Sequence, residues 1–148
     1  MSDAVRVQIH IDAPPERVWE VILDPGRLEE WVTIHRRLLK ADDGPPRAGM
    51  RMEQTLCLRG ATFKVKWVLT ECEFPSQATW EGKGPMGSHA RTAYQLVPKG
   101  RGTEFRYENE FKAPGGLLGA AASRVLVGGL PEREANASLR KLKVLLEQ

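Results

Sequence analysis

At 148 residues the chain is long enough for one substantial core and too short for two ordinary domains, so residues 1–148 are expected to form a single unit. Hydrophobic residues at 41% and charged residues at 28% fit a soluble globular protein. The 22 Lys and Arg exceed the 19 Asp and Glu by only three and alternate with Glu along several segments, which argues against a nucleic-acid groove.

Val5, Val7, Ile9 and Ile11 alternate with Arg6, Gln8 and His10, the period of a strand with one buried face and His10 pointing out. Pro14-Pro15 then opens a helix with Val18, Trp19, Ile22 and Leu23 as its apolar stripe. Asp24-Pro25-Gly26 breaks that helix and starts a second short one from Arg27 to Trp31 or Val32. The pair forms a helical wedge at one end of whatever sheet follows. Thr33 to Leu39 leaves the wedge as an extended edge, and Asp42-Asp43-Gly44-Pro45-Pro46 is a loop.

From Met50 to Phe111 the alternation is nearly continuous. Met50, Met52, Gln54, Leu56 and Leu58 share one face, and Arg59-Gly60-Ala61 reverses the chain. Phe63, Val65, Trp67 and Leu69 follow in a strand running to about Phe74. Cys57 and Cys72 both take outward parity, as near neighbours that remain reduced. A strand carrying Ala78 and Trp80 ends at Gly82-Lys83-Gly84-Pro85-Met86-Gly87. Thr92, Tyr94 and Leu96 then face inward, Lys99-Gly100-Arg101-Gly102 makes a hairpin, and Phe105, Tyr107, Asn109 and Phe111 oppose Glu104, Arg106, Glu108 and Glu110.

Pro114 to Gln148 reads as one long, slightly interrupted helix. Leu117, Leu118, Ala121, Ala122, Val125 and Leu126 recur at helical spacing. After Gly128-Gly129 the stripe resumes with Leu130, Ala135, Leu139, Leu142, Leu145 and Leu146, while Asn136-Ala137-Ser138 falls on the helix surface. The glycine pair either kinks this helix or separates two. The fold class expected is therefore α+β: a curved antiparallel sheet of about seven strands around a long C-terminal helix, with two short helices after the first strand.

The inward face combines aromatic walls with a few polar groups. Gln54, Thr92, Asn109 and the hydroxyls of Tyr94 and Tyr107 each need a partner inside, either one another, the backbone, water or a ligand. A mostly apolar wall with a few convergent polar groups also describes a small-molecule cavity. The candidate ligand-binding set is accordingly Trp31, His35, Gln54, Trp67, Trp80, Thr92, Tyr94, Tyr107 and Asn109 on the wedge and sheet, with Leu118, Ala122 and Val125 on the helix. Trp31 either packs in the core or guards the cavity mouth, toward which His35 projects.

Motifs for chemistry are sparse. There is no glycine-rich dinucleotide or phosphate loop and no nucleophile elbow. His10, His35 and His89 are too dispersed for a histidine-rich metal centre, Cys57 and Cys72 lack zinc-ligand spacing, and no inward carboxylate pair is visible, so no metal or cofactor is implied. Carrier and enzyme both stay open, since Tyr94, Tyr107, Asn109, Gln54 or His35 could orient a substrate or stabilise an enolate. The N-terminus has no basic segment followed by an apolar run, so a cytoplasmic protein without membrane insertion is expected.

The order of elements, one strand, two short helices, further strands and a long C-terminal helix, resembles the START-like or SRPBCC superfamily, the helix-grip or birch-pollen-allergen fold. Val7-x-Ile9-x-Ile11-x-Ala13-Pro14-x-x-x-Val18-Trp19, followed by Asp24-Pro25-x-x-Leu28-x-x-Trp31, resembles the opening of its polyketide cyclase/dehydrase-like branch. Trp31-Val32-Thr33-Ile34-His35, with Gly49 and Trp67, is similar to an actinobacterial subgroup in which one relative is described as the toxin of a toxin-antitoxin pair. The resemblance implies a hydrophobic tunnel between sheet and helix that holds a lipid or polyketide-like molecule. It also implies, as alternatives, a cyclase or dehydratase using the same tunnel, or a toxin-like regulator, and leaves a homodimer or a protein partner open.

Overall fold

In the computed structural model residues 4–58, 60–112 and 130–148 are described. The first strand, β1 (Val5–Ile11), leads into α1 (Pro15–Ile22), a 3-10 turn (Pro25–Arg27) and α2 (Leu28–Trp31). Pro15 occupies the first turn of α1, where its missing N–H is not needed, and the Asp24 carboxylate accepts the Gly26 N–H at 2.9 Å to open the 3-10 turn. Six strands follow: β2 (His35–Ala41), β3 (Arg51–Leu58), β4 (Ala61–Glu73), β5 (Gln77–Lys83), β6 (His89–Lys99) and β7 (Gly102–Lys112). Helix α3 (Leu130–Leu146) ends the chain. The expected helix from Pro114 lies partly outside the described residues, as do Leu118, Ala122, Val125 and the Gly128-Gly129 pair.

The strands form one antiparallel seven-stranded sheet in the order β1-β7-β6-β5-β4-β3-β2. From β2 to β7 each strand pairs with the next, while β1 joins at β7. The two strands that flank the helical wedge in sequence therefore lie at opposite edges of the sheet. Gly100, at the first central position of the β6–β7 hairpin, takes φ +62°, where a right-twisted two-residue turn needs glycine. Tyr107 thereby stands opposite Tyr94, and Asn109 opposite Thr92.

Two parts of the strand reading are corrected. Gly82 does not end β5 but is a buried member of it, paired with Trp67 and Ala90. Its missing side chain made it resemble the start of a turn. The inward parity of β4 also changes at Thr70: Leu69 pairs with Trp80 but Glu71 with Thr79, so Thr70 is the extra residue of a bulge. Beyond it Cys72 stands opposite Ala78 and packs against the core instead of facing out. Cys57 pairs with Thr62, near the start of β4, so the two free cysteines are separated by most of that strand and are not neighbours.

Helix α3 packs against β1 and α2. Leu139, Leu142 and Leu146 are buried with Ile11, Phe105 and Leu96 in the shared core, each such side chain contributing roughly 1.5–3 kcal/mol by leaving water. The C-terminal end of α3 is pinned to the end of β1: Lys143 Nζ donates to His10 O at 2.7 Å, and Glu147 Oε2 accepts the Asp12 N–H at 2.9 Å. About one and two turns from its start, at Glu134 and Ser138, α3 is held by the wedge. The Ser138 hydroxyl accepts the Thr33 N–H at 3.0 Å, and the Thr33 hydroxyl donates to the Glu134 carboxylate. Ser138 is thus buried in a helix-to-wedge contact, not part of the helix surface, because its short polar side chain satisfies the backbone where the wedge leaves α2. Among the described residues no helix is long and apolar enough to cross a membrane.

Candidate functional site

Strand pairing places the candidate residues on the concave face in two polar groups, with an aromatic strip on the strands between them. The first group spans β2 and β3. His35 stands opposite Leu56, which stands opposite Phe63, so all three share the inner face. Gln54 is 4% exposed, and its side-chain Nε2 lies 2.8 Å from His35 Nδ1. Burial lowers the His35 pKa below its usual value, and the Glu29 carboxylate acts weakly in the opposite direction. With the Gln54 amide donating, Nδ1 is the acceptor and the ring proton resides on Nε2.

The second group spans β6 and β7. Asn109 Nδ2 donates to the Tyr107 hydroxyl at 3.0 Å, and the Tyr94 and Tyr107 rings face each other at 6.0 Å with 30° between planes. Burial raises the pKa of both phenols, while hydrogen bonds from Asn109 and Thr92 partly offset this at Tyr107. Both are therefore neutral donors or acceptors at pH 7, not bases. Trp31, 1% exposed, packs against Tyr94 and Phe105 at 6.2 and 6.3 Å, so it belongs to the floor beneath this group and not to a mouth.

Between the groups, Trp67 on β4 lies across Gly82 on β5. Trp80 is buried opposite Leu69 and Thr92. Toward the β3–β4 hairpin, Phe63 and Phe111 meet at 6.4 Å and are only half-buried, although both face inward. The structure therefore joins His35 with Gln54, and Tyr94 and Tyr107 with Asn109 and Thr92, while Trp31 packs on Tyr94 and Phe105. Leu118, Ala122 and Val125 fall outside the described residues. Gly82 and the Phe63–Phe111 pair extend the set. For Gly82, the inward parity of Ala78 and Trp80 was the available signal. Among the described residues no group of three or more His, Cys, Asp or Glu side chains could hold a metal ion.

A sheet gripping a C-terminal helix, with short helices after the first strand and an aromatic face bearing paired polar groups, defines the helix-grip class of α+β proteins. The chain belongs to the polyketide cyclase / dehydrase and lipid transport family, whose model matches residues 2–147. It is 26% identical over 121 residues to Toxin Rv0910 of Mycobacterium tuberculosis H37Rv, an alignment covering 78% of this chain and 84% of that protein. Toxin MT0934 of strain CDC 1551 gives the same figures. Among solved structures, the Zhui aromatase/cyclase from Streptomyces sp. R1128 superposes with a TM-score of 0.80 at 16% identity, covering 99% of this chain and 94% of that one. Protein TTHA0849 from Thermus thermophilus gives a TM-score of 0.71 at 20% identity, with 97% of each chain covered.

Proposed function

We propose that the chain binds a small hydrophobic molecule, lipid- or polyketide-like, between the concave face of the sheet and the C-terminal helix. The observation that carries this reading is the Tyr107–Asn109 pair beside half-buried Phe63 and Phe111: polar groups and open aromatic surface on a face that a packed core would close. Affinity would come mainly from apolar ligand surface leaving water, roughly 25 cal/mol per Å² before the cost of immobilisation. The polar pairs would select a ring substituent or head group. A cytoplasmic setting accords with the separation of Cys57 and Cys72. Most of β4 lies between Thr62, the partner of Cys57, and Cys72, which at about 3.3 Å per residue is far beyond disulfide reach.

Native mass spectrometry of freshly purified protein, followed by denaturing extraction, tests this. A stoichiometric apolar molecule that is lost in Tyr107→Ala supports it. Protein that purifies empty and binds no lipid or polycyclic aromatic compound at saturating concentration counts against it.

Two other readings have an observation each. Neutral Tyr107, held by Asn109, could position a flexible substrate for cyclisation or dehydration, and a turnover assay in which Asn109→Ala lowers kcat more than it raises KM would favour that enzyme. The similarity to proteins named toxins favours a regulator with a protein partner. Growth arrest on induced expression, relieved by co-expression of one specific protein, would favour that role.

A further inference from the structure

We infer that the indole N–H of Trp67 is the specificity-determining donor of this site, and that it selects a neutral molecule carrying a carbonyl acceptor. The inference rests on the cavity reading above. Trp67 is 6% exposed, and its Nε1 is buried without a hydrogen-bond partner. A buried N–H left without an acceptor costs about 1–3 kcal/mol, so its retention on a concave binding face is explained when the bound molecule supplies the acceptor.

Three features single out this donor. The Gln54 amide nitrogen already lies against His35, and the Asn109 amide already donates to Tyr107, so each of those donors has a partner within the protein. The Trp31 N–H is also without a conventional partner, but that indole is packed against Tyr94 and Phe105, the latter at 73°, an arrangement in which an aromatic face can accept an N–H weakly. Trp67 has no such ring neighbour among the described residues.

The third feature is Gly82. A Cβ there would lie 2.7 Å from Trp67 Cε3, 2.9 Å from Trp67 Cδ2 and 2.7 Å from Val65 Cγ1. The absent side chain is what allows the six-membered ring to lie over β5. Nε1 lies across the indole from Cε3 and so points away from that contact. A single neutral N–H on an apolar wall suits a ketone, quinone or lactone oxygen. A carboxylate there would be desolvated with only one neutral donor to compensate it.

The test uses the full chain with two shape-matched probes, 9-fluorenone and fluorene, which differ by one carbonyl oxygen. Dissociation constants are measured calorimetrically for the wild type and for Trp67→Phe, which keeps an aromatic ring but removes the donor. The preference for fluorenone over fluorene should fall about tenfold in the variant, with fluorene affinity little changed. In the wild type, the Trp67 indole proton should shift downfield in NMR spectra with fluorenone and not with fluorene, a readout that does not depend on the variant folding. An unchanged preference, or an indole proton unmoved by bound fluorenone, overturns the inference and leaves the cavity reading standing. Binding of neither probe overturns the inference, and the cavity reading falls with it only if the protein also purifies empty and takes up no lipid.

Discussion

His35 Nδ1 and Gln54 Nε2, 2.8 Å apart, couple edge strand β2 to β3 on the concave face and fix which imidazole nitrogen carries the proton. Because burial is the dominant influence on this ring, its NMR titration midpoint should fall below the ordinary value of 6.5. Between that lowered value and 6.5 the unfolded chain binds the proton that the folded chain does not, so stability rises with pH across the window and is lost as pH falls through it. His35→Gln should flatten that part of the acid-stability curve. A midpoint at or above 6.5 would contradict the burial argument.

Tyr94 and Tyr107 are the only tyrosines, so phenol titration reads this site alone. Burial raises both pKa values above 10, and little tyrosinate absorbance should appear at about 295 nm near pH 10 while the protein stays folded. The unfolded chain ionises first. Stability should therefore be intact below about pH 10 and decline above it. Half of the unfolded chain's tyrosinate signal at about pH 10, with native circular dichroism, would show that one ring is solvated.

Removing the Tyr107 hydroxyl leaves the Asn109 amide without its acceptor. Tyr107→Phe should cost about 1 kcal/mol in urea unfolding, since Asn109 is half-buried and water can recover part of the loss. An Asn109→Ala, Tyr107→Phe double variant should lose less than the sum of the single changes. Strict additivity would mean that the bond contributes nothing.

A methyl group at position 82 would overlap both the Trp67 ring and Val65. Gly82→Ala should therefore destabilise the protein by about 1–3 kcal/mol and alter its tryptophan fluorescence. Trp67→Leu should relieve part of that penalty in the double variant. If Gly82→Ala leaves stability and emission unchanged, the indole does not lie across β5.

The wedge contact has its own signature. Ser138→Ala removes the acceptor of the Thr33 N–H and should cost about 1–2 kcal/mol. Hydrogen exchange at the start of α3 should accelerate, while the Lys143–Glu147 end, tied separately to β1, stays protected. Uniform acceleration along α3 would indicate one cooperative unit instead of two independent attachments.

Alternation alone carried most of the sheet. Val5 to Ile11, Met50 to Leu58 and Phe105 to Phe111 show one apolar face each because a strand's side chains alternate with period two, and that period survives any tertiary arrangement. The same rule placed Gln54, Tyr94, Tyr107 and Asn109 together on the inner face. It failed where a local event interrupts the period. The Thr70 bulge turned Cys72 inward, and Gly82, with no side chain to mark its parity, resembled a turn.

Except at Gly82, Cys72 and Ser138, sequence by itself determined which residues face the interior, because parity and helical spacing are properties of the local backbone. Only the tertiary structure decided which of them meet. The pairing of His35 with Gln54, the burial of Trp31 beneath Tyr94, the contact of Ser138 with Thr33 and the unpartnered Trp67 N–H over Gly82 each depend on register between strands or on packing between distant elements. Those arrangements are set by the fit of the whole core, which no local pattern encodes.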